Sequence, residues 1–102
     1  MVEKLLQQKI IKKFVTSGWL VYKMTSPSTR GIPDLVCMRD GETIWLEVKT
    51  PRGRLSAMQR AVIGRIRNQG IRVYVVNSIE QAGEIAGKPP RRSATGGDRS
   101  SL

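Results

Sequence analysis

Asp34 and Glu47 stand on either side of an Asp40-Gly41 pair, and Lys49 follows Glu47 by two residues. An Asp-Gly step between two apolar runs, here DLVCM and TIWLEVK, is the pattern of a β-hairpin closed by a two-residue loop. A loop of that length makes Arg39 face Glu42 and puts Asp34 directly opposite Glu47. Carboxylates so placed have Cβ atoms about 4.5–5.5 Å apart and destabilise a sheet unless something between them offsets their repulsion. A divalent cation does so. Lys49 then lies on the same face as Glu47, about 6–7 Å further along the strand. Two carboxylates from adjacent strand ends, with waters and a substrate phosphate, meet the octahedral oxygen demand of magnesium. A metal held there polarises a phosphoryl oxygen and lowers the pKa of a bound water, and the neighbouring ammonium orients that water or offsets developing charge. The chemistry implied is phosphodiester hydrolysis. The competing account is a surface hairpin with a chance acidic pair and an i, i+2 ion pair.

The elements that position these residues are readable around them. Val2, Leu5, Leu6, Ile10, Phe14 and Val15 repeat close to the helical period over residues 2–17, and Gly18 suits the stop. Trp19 to Met24 has strand composition, Thr25 to Pro33 is a loop with two prolines and a glycine, and Asp34 opens the hairpin. Ser56-Ala57-Met58-Gln59 is a capping-box pattern that starts a helix carrying Leu55, Met58, Val62, Ile63 and Ile66 as far as Gly70. Ile71 to Val76 reads as a buried strand, and Ser78 caps a short last helix reaching about Ala86. A helix between the third and fourth strands makes them parallel with a right-handed crossover. The predicted fold is α/β in the order αβββαβα, a mixed sheet with helices on both faces, because both faces of the hairpin carry apolar side chains. Met24, Met38, Met58 and Cys37 are expected in the core, and Trp45, on the Glu47 face by parity, is expected to pack under the first helix.

Composition narrows the partners. The chain has 102 residues, 18 Lys+Arg against 8 Asp+Glu, no His and one Cys, a net charge of +10. One domain is expected over residues 1–87, followed by a basic, disordered tail over 88–102 that carries +3 and leaves +7 on the body. A body of that sign draws polyanions, nucleic acid first. Without His, a Cys/His metal centre has no ligands, and Cys37 has no base to activate it as a nucleophile. No signal peptide and no run of apolar residues long enough to span a bilayer is present, so a cytoplasmic location without membrane contact is expected, in the host cytoplasm if the source is viral.

Gly31-Ile32-Pro33-Asp34-Leu35, followed by Glu47-Val48-Lys49, resembles the PD-(D/E)XK nuclease superfamily. With Ser17-Gly18-Trp19, Tyr22-Lys23, Arg30-Gly31, Lys49-Thr50-Pro51 and Leu55-Ser56 through Gln59, the chain is similar over roughly residues 3–80 to the virus-type replication-repair nuclease (VRR-NUC) domain. The resemblance implies a restriction-endonuclease-like core and an endonuclease that needs Mg2+ or Mn2+ and no other small-molecule cofactor. It further implies a DNA substrate, branched structures such as Holliday junctions in repair, and a homodimer like the stand-alone viral members. It assigns metal binding to Asp34 and Glu47, with the backbone carbonyl of Val48 as a third ligand, and catalysis to Lys49 and Gln59. Glu3, the acid on the first helix, joins the metal in relatives.

Several of these residues have a second account. Gln59 at the N3 position of a helix capped by Ser56 is explained by capping alone, and Glu3 by attraction to a helix N-terminus. Lys23, Arg30, Arg52, Arg54, Arg60 and Arg67 are candidate phosphate contacts, and Arg60 and Arg67 share a helical face with Arg65 close by; a solvated basic face is the alternative. Two other functions fit the same residues: a flap or nicking nuclease on this scaffold, and a non-catalytic nucleic-acid-binding module. The intact Asp34, Glu47 and Lys49 set argues against the last, because acids near phosphates repel them.

Overall fold

The Asp40-Gly41 turn forms as its composition demands. Both residues have positive φ, 52° and 83°, the conformation of a type I′ turn. The computed structural model describes residues 2–25 and 30–89; part of the expected 25–33 loop and the tail from residue 90 lie outside the described residues. The elements are α1 (Glu3–Thr16), β1 (Leu20–Lys23), β2 (Leu35–Arg39), β3 (Glu42–Val48), α2 (Ala57–Asn68), β4 (Arg72–Val76) and α3 (Ile79–Ala86). They make one mixed sheet in the order β1-β2-β3-β4, with β1, β2 and β3 antiparallel and β4 parallel to β3. No helix among the described residues is long and apolar enough to cross a membrane.

The pairing register divides the strand residues between two faces. Leu35 pairs with Leu46 and Cys37 with Ile44, while Val36 pairs with Trp45. The Leu35 face meets α1 and α3, where Leu6, Ile10, Phe14, Trp19, Leu46, Val48, Val76, Ala82 and Ile85 form the core. Leu6, Ile10 and Phe14 are spaced by four, so one helical stripe supplies the lid of that core. Cys37 is wholly buried in it, and burial pushes its thiol up to about 12, which makes it a small core residue.

The opposite face is only partly covered. Helix α2 packs against β4, and Ile63 and Val73 are the fully buried apolar residues on that side. The expected cover by helices on both faces therefore holds for the β4 half alone. Met24 and Met58, expected in the core, are 37% and 52% exposed. Trp45 lies across the sheet from α1, correcting the expectation that it packs beneath that helix.

Arg39, the last residue of β2, ties the chain ends to the hairpin. Its guanidinium donates to the carbonyls of Ser17 at 3.2 Å, Ala86 at 2.9 Å and Lys88, and it lies 4.4 Å from the ring centre of Trp19. Trp19 Nε1 donates to the same Ala86 carbonyl at 3.0 Å. Orphan carbonyls at the C-termini of α1 and α3 are thus satisfied by one side chain and its aromatic neighbour.

Candidate active site

Beyond the Leu35–Leu46 pair the regular ladder between β2 and β3 stops. Asp34 fills the gap. Its carboxylate Oδ2 accepts the Val48 N–H at 2.9 Å, and its carbonyl accepts the Met24 N–H at 2.7 Å. The side chain has taken the place of a strand partner, so Asp34 and Glu47 are close without being the plain cross-strand pair that the hairpin arithmetic gave. In extended backbone the N–H and C=O of one residue point to the same edge, so the Val48 carbonyl also faces this gap.

Glu47 is 1% exposed and its two oxygens differ. Oε2 accepts from Gln59 Nε2 at 3.0 Å and lies 3.5 Å from Lys49 Nζ, whereas Oε1 is buried with no hydrogen-bond partner. Burial, followed by the charge of Asp34, pushes the Glu47 carboxyl up to about 7; Lys49 pulls the other way and is outweighed, and Glu3 adds a further upward push. A buried acid with an orphan oxygen costs free energy in the absence of a cation.

Gln59 caps its helix and also touches Glu47. Its Oε1 accepts the Ser56 N–H at 2.9 Å while its own N–H donates to Ser56 Oγ at 3.1 Å, a complete capping box. With Oε1 committed to the cap, Nε2 is the end that turns toward Glu47. Ser56→Ala removes the cap acceptor, and a loss of about 1 kcal/mol is expected, read as a fall of about 4–8 °C in Tm. Ser56→Asp restores it; an unchanged melt in Ser56→Ala would refute the role.

The first turn of α2 also holds the Asp34 loop. Gly31 has φ +84°, and a Cβ there would stand 2.8 Å from the Met58 carbonyl oxygen. So α2 touches Glu47 through Gln59 and the Asp34 loop through Met58. Lys49 continues the parallel pairing, its N–H donating to Val76 at 3.0 Å, and the Thr50–Gly53 turn follows at once.

The remaining candidates divide. Arg30, Arg52 and Arg54 are exposed on the loops that flank Asp34 and Lys49. Arg60 is exposed, with its Nη1 donating to the Leu55 carbonyl at 2.8 Å. Arg67 donates to the Val73 carbonyl at 2.7 Å, about 12 Å along the α2 axis from Gln59, and so is held away from the acids. Lys23 pairs with Leu35, which turns it to the face opposite Glu47. Glu3 influences Glu47 through its charge, yet among the described residues no group of three His, Cys, Asp or Glu side chains gathers around one point. Sequence reasoning missed the Val48 N–H and the Gly31–Met58 contact. The Gly-x-Pro-Asp turn was the signal for the second.

The chain is similar to known proteins over most of its length. Residues 3–80 match the family described as the VRR-NUC domain. The chain is 32% identical over 81 residues to candidate nuclease p44 of Acyrthosiphon pisum secondary endosymbiont phage 1, an alignment covering 74% of this chain and 87% of the phage protein. A solved structure of a VRR-NUC domain superposes with a TM-score of 0.73 at 28% identity, covering 81% of this chain and 91% of that one. By family model, phage relative and solved structure alike, the chain belongs to the VRR-NUC family.

Proposed function

We propose that the protein is a Mg2+- or Mn2+-dependent DNA endonuclease, selective for branched structures such as four-way junctions and active as a homodimer. The observation that carries the metal is the orphan Oε1 of Glu47, an acceptor buried beside Asp34 with a cation-sized need and no protein donor. Asp34 and Glu47 would hold the ion, with the Val48 carbonyl as third ligand; Glu3 is at most an outer contributor. Bound there, the metal supplies a polarised phosphoryl oxygen and a water of lowered pKa.

The chain's own residues do the rest. Lys49, held 3.5 Å from Glu47 Oε2, keeps its ammonium beside the acids, where it orients the attacking water or offsets charge on the phosphorane-like transition state. Gln59 fixes which oxygen of Glu47 is left for the ion. Arg30, Arg52 and Arg54, with Arg60 beyond them, hold backbone phosphates without reading bases.

The test is cleavage of a labelled four-way DNA junction, with linear duplex and flap controls, in magnesium, manganese and chelator. Lys49→Ala is expected to cut about 10²–10³-fold more slowly while still binding the junction. Cleavage that survives chelator would remove the metal from the proposal, and single cuts on flaps alone would replace the junction by a flap substrate.

A further inference from the structure

Helix α2 ends and β4 begins around a cavity of about 470 Å³ lined by Arg67, Gly70, Ile71, Arg72, Val73 and Tyr74. β4 is an edge strand, so side chains from both faces of the sheet meet around it. Arg67 comes from α2, which packs on the Glu47 face, whereas Arg72 and Tyr74 pair with Ile44 and Leu46 and belong to the face covered by α1 and α3. Both guanidiniums are held before anything binds. Arg67 Nη2 donates to the Val73 carbonyl at 2.7 Å. Arg72 Nη1 donates to the Tyr74 hydroxyl oxygen at 3.4 Å, which leaves the tyrosine its own proton to donate.

None of the six lining residues is acidic. One carboxylate, Glu42, shares the adjoining depression with Arg72 and Lys88, so among the described residues of the two hollows three cations stand against one acid. Two guanidiniums facing one hollow repel each other unless an anion lies between them, just as Asp34 and Glu47 repel without a cation. A carboxylate is satisfied by one arginine fork, whereas the several oxygens of a phosphate accept from donors on two sides at once. The volume has room for a phosphate with a sugar attached and falls in the range of small-molecule sites. A strand partner fits this edge poorly. Further along β4, Gln81 donates to the Val75 carbonyl at 3.1 Å and accepts the Asn77 N–H at 3.0 Å, so its amide already occupies the ladder.

We infer that this cavity is a phosphate-binding site separate from the acids, with Arg67, Arg72 and the Tyr74 hydroxyl as its donors. Arg72 pairs with Ile44, three residues before Glu47, which puts the site about 10 Å along the sheet from the acid pair. Two sources present this chemistry: a backbone phosphate of a nucleic acid that also reaches the acids, and a free phosphate, as the ion or on a mononucleotide.

Inorganic phosphate titrated into the isotope-labelled full chain in metal-free buffer, followed by amide NMR, reads the site directly. The Gly70, Ile71 and Val73 resonances are expected to move and to saturate at a concentration on the order of millimolar. Arg67→Gln and Arg72→Gln should each weaken that binding about 10-fold or more. Lys12→Gln, which removes the same charge from an exposed position on α1, should leave it unchanged. Arg67 also holds the Val73 carbonyl, so if Arg67→Gln melts early, Arg72→Gln, which keeps that bond, decides the case. The salt dependence of duplex DNA binding then names the source. A log–log slope shallower by about 0.9 in Arg72→Gln places a backbone phosphate in the cavity, and an unchanged slope assigns the cavity to a free phosphate. No saturable movement at these amides with either phosphate or duplex would overturn the inference, and so would equal weakening by Lys12→Gln, the mark of general charge. Cleavage is not read in either arm, so this site and the nuclease reading can each fail alone.

Discussion

Glu47→Gln is expected to abolish metal-dependent cleavage and, in chelator at pH 8, to make the protein more stable. The two effects have one cause. Glu47 is 1% exposed, its Oε1 has no donor, and its carboxyl is pushed up to about 7 by burial and Asp34. A carboxyl with a higher pKa folded than unfolded binds more protons in the folded state. Its stabilising contribution is full below about 4.5, the unfolded value, and is lost as pH rises through about 7. The metal-free wild type should therefore lose about 2 kcal/mol between pH 5 and pH 8, roughly 8–16 °C in Tm for a domain of this size. Glutamine has nearly the same shape and no charge, so the variant's Tm should stay flat over that range. If Glu47 holds magnesium as proposed, the wild-type slope should reverse with the ion present, because binding to the deprotonated acid displaces a proton. Cleavage by the variant should fall at least about 10³-fold, the scale of removing a group acting on the reacting phosphate. Parallel melting profiles for the two proteins in chelator would show that Glu47 does not carry this cost.

Gly31→Ala should be the most damaging methyl group that can be added near the site. The left-handed φ of +84° costs an alanine about 1–2 kcal/mol. Its Cβ would also stand 2.8 Å from the Met58 carbonyl oxygen and 2.9 Å from Met58 Cγ. The nearer atom is helix backbone, so the loop must move away from α2, carrying Asp34 with it. A total loss of about 3 kcal/mol or more is expected, with cleavage lost even at temperatures where the variant stays folded. Met58→Ala removes Cγ and leaves the carbonyl, so the double variant should not recover. Gly41→Ala is the control: φ is +83° with nothing within 4 Å of the new Cβ, and only the conformational cost remains. Equal melting temperatures for the two glycine variants would refute the contact argument.

The hairpin, the helices and the parallel crossover were legible because each rests on local chemistry: an Asp-Gly turn, two serine caps and a helical stripe on α1. The hairpin arithmetic brought Asp34 to Glu47, and the chain does so. It could not show that the strands part there, because a carboxylate taking the Val48 N–H is a choice between side chain and backbone that no periodicity records. Gln59 was legible as a capping residue and as a family residue, and only coordinates join the two through its two amide ends. The core was misread at Met24, Met58 and Trp45 for a different reason. Alternation says that a residue avoids water; it does not say whether its own helix or something outside the chain does the covering.

Arg39 has a consequence for the timing of synthesis. Its hydrogen bonds close sequence separations of 22, 47 and 49 residues, and the Trp19 bond to Ala86 closes one of 67. Contacts so distant form only after the intervening chain exists, and their loop entropy has to be met before they contribute anything. The wall behind the hairpin is therefore incomplete until α3 has left the ribosome. A nascent chain that already carries Asp34, Glu47 and Lys49 but not yet Ala86 lacks the contacts that close the wall behind them.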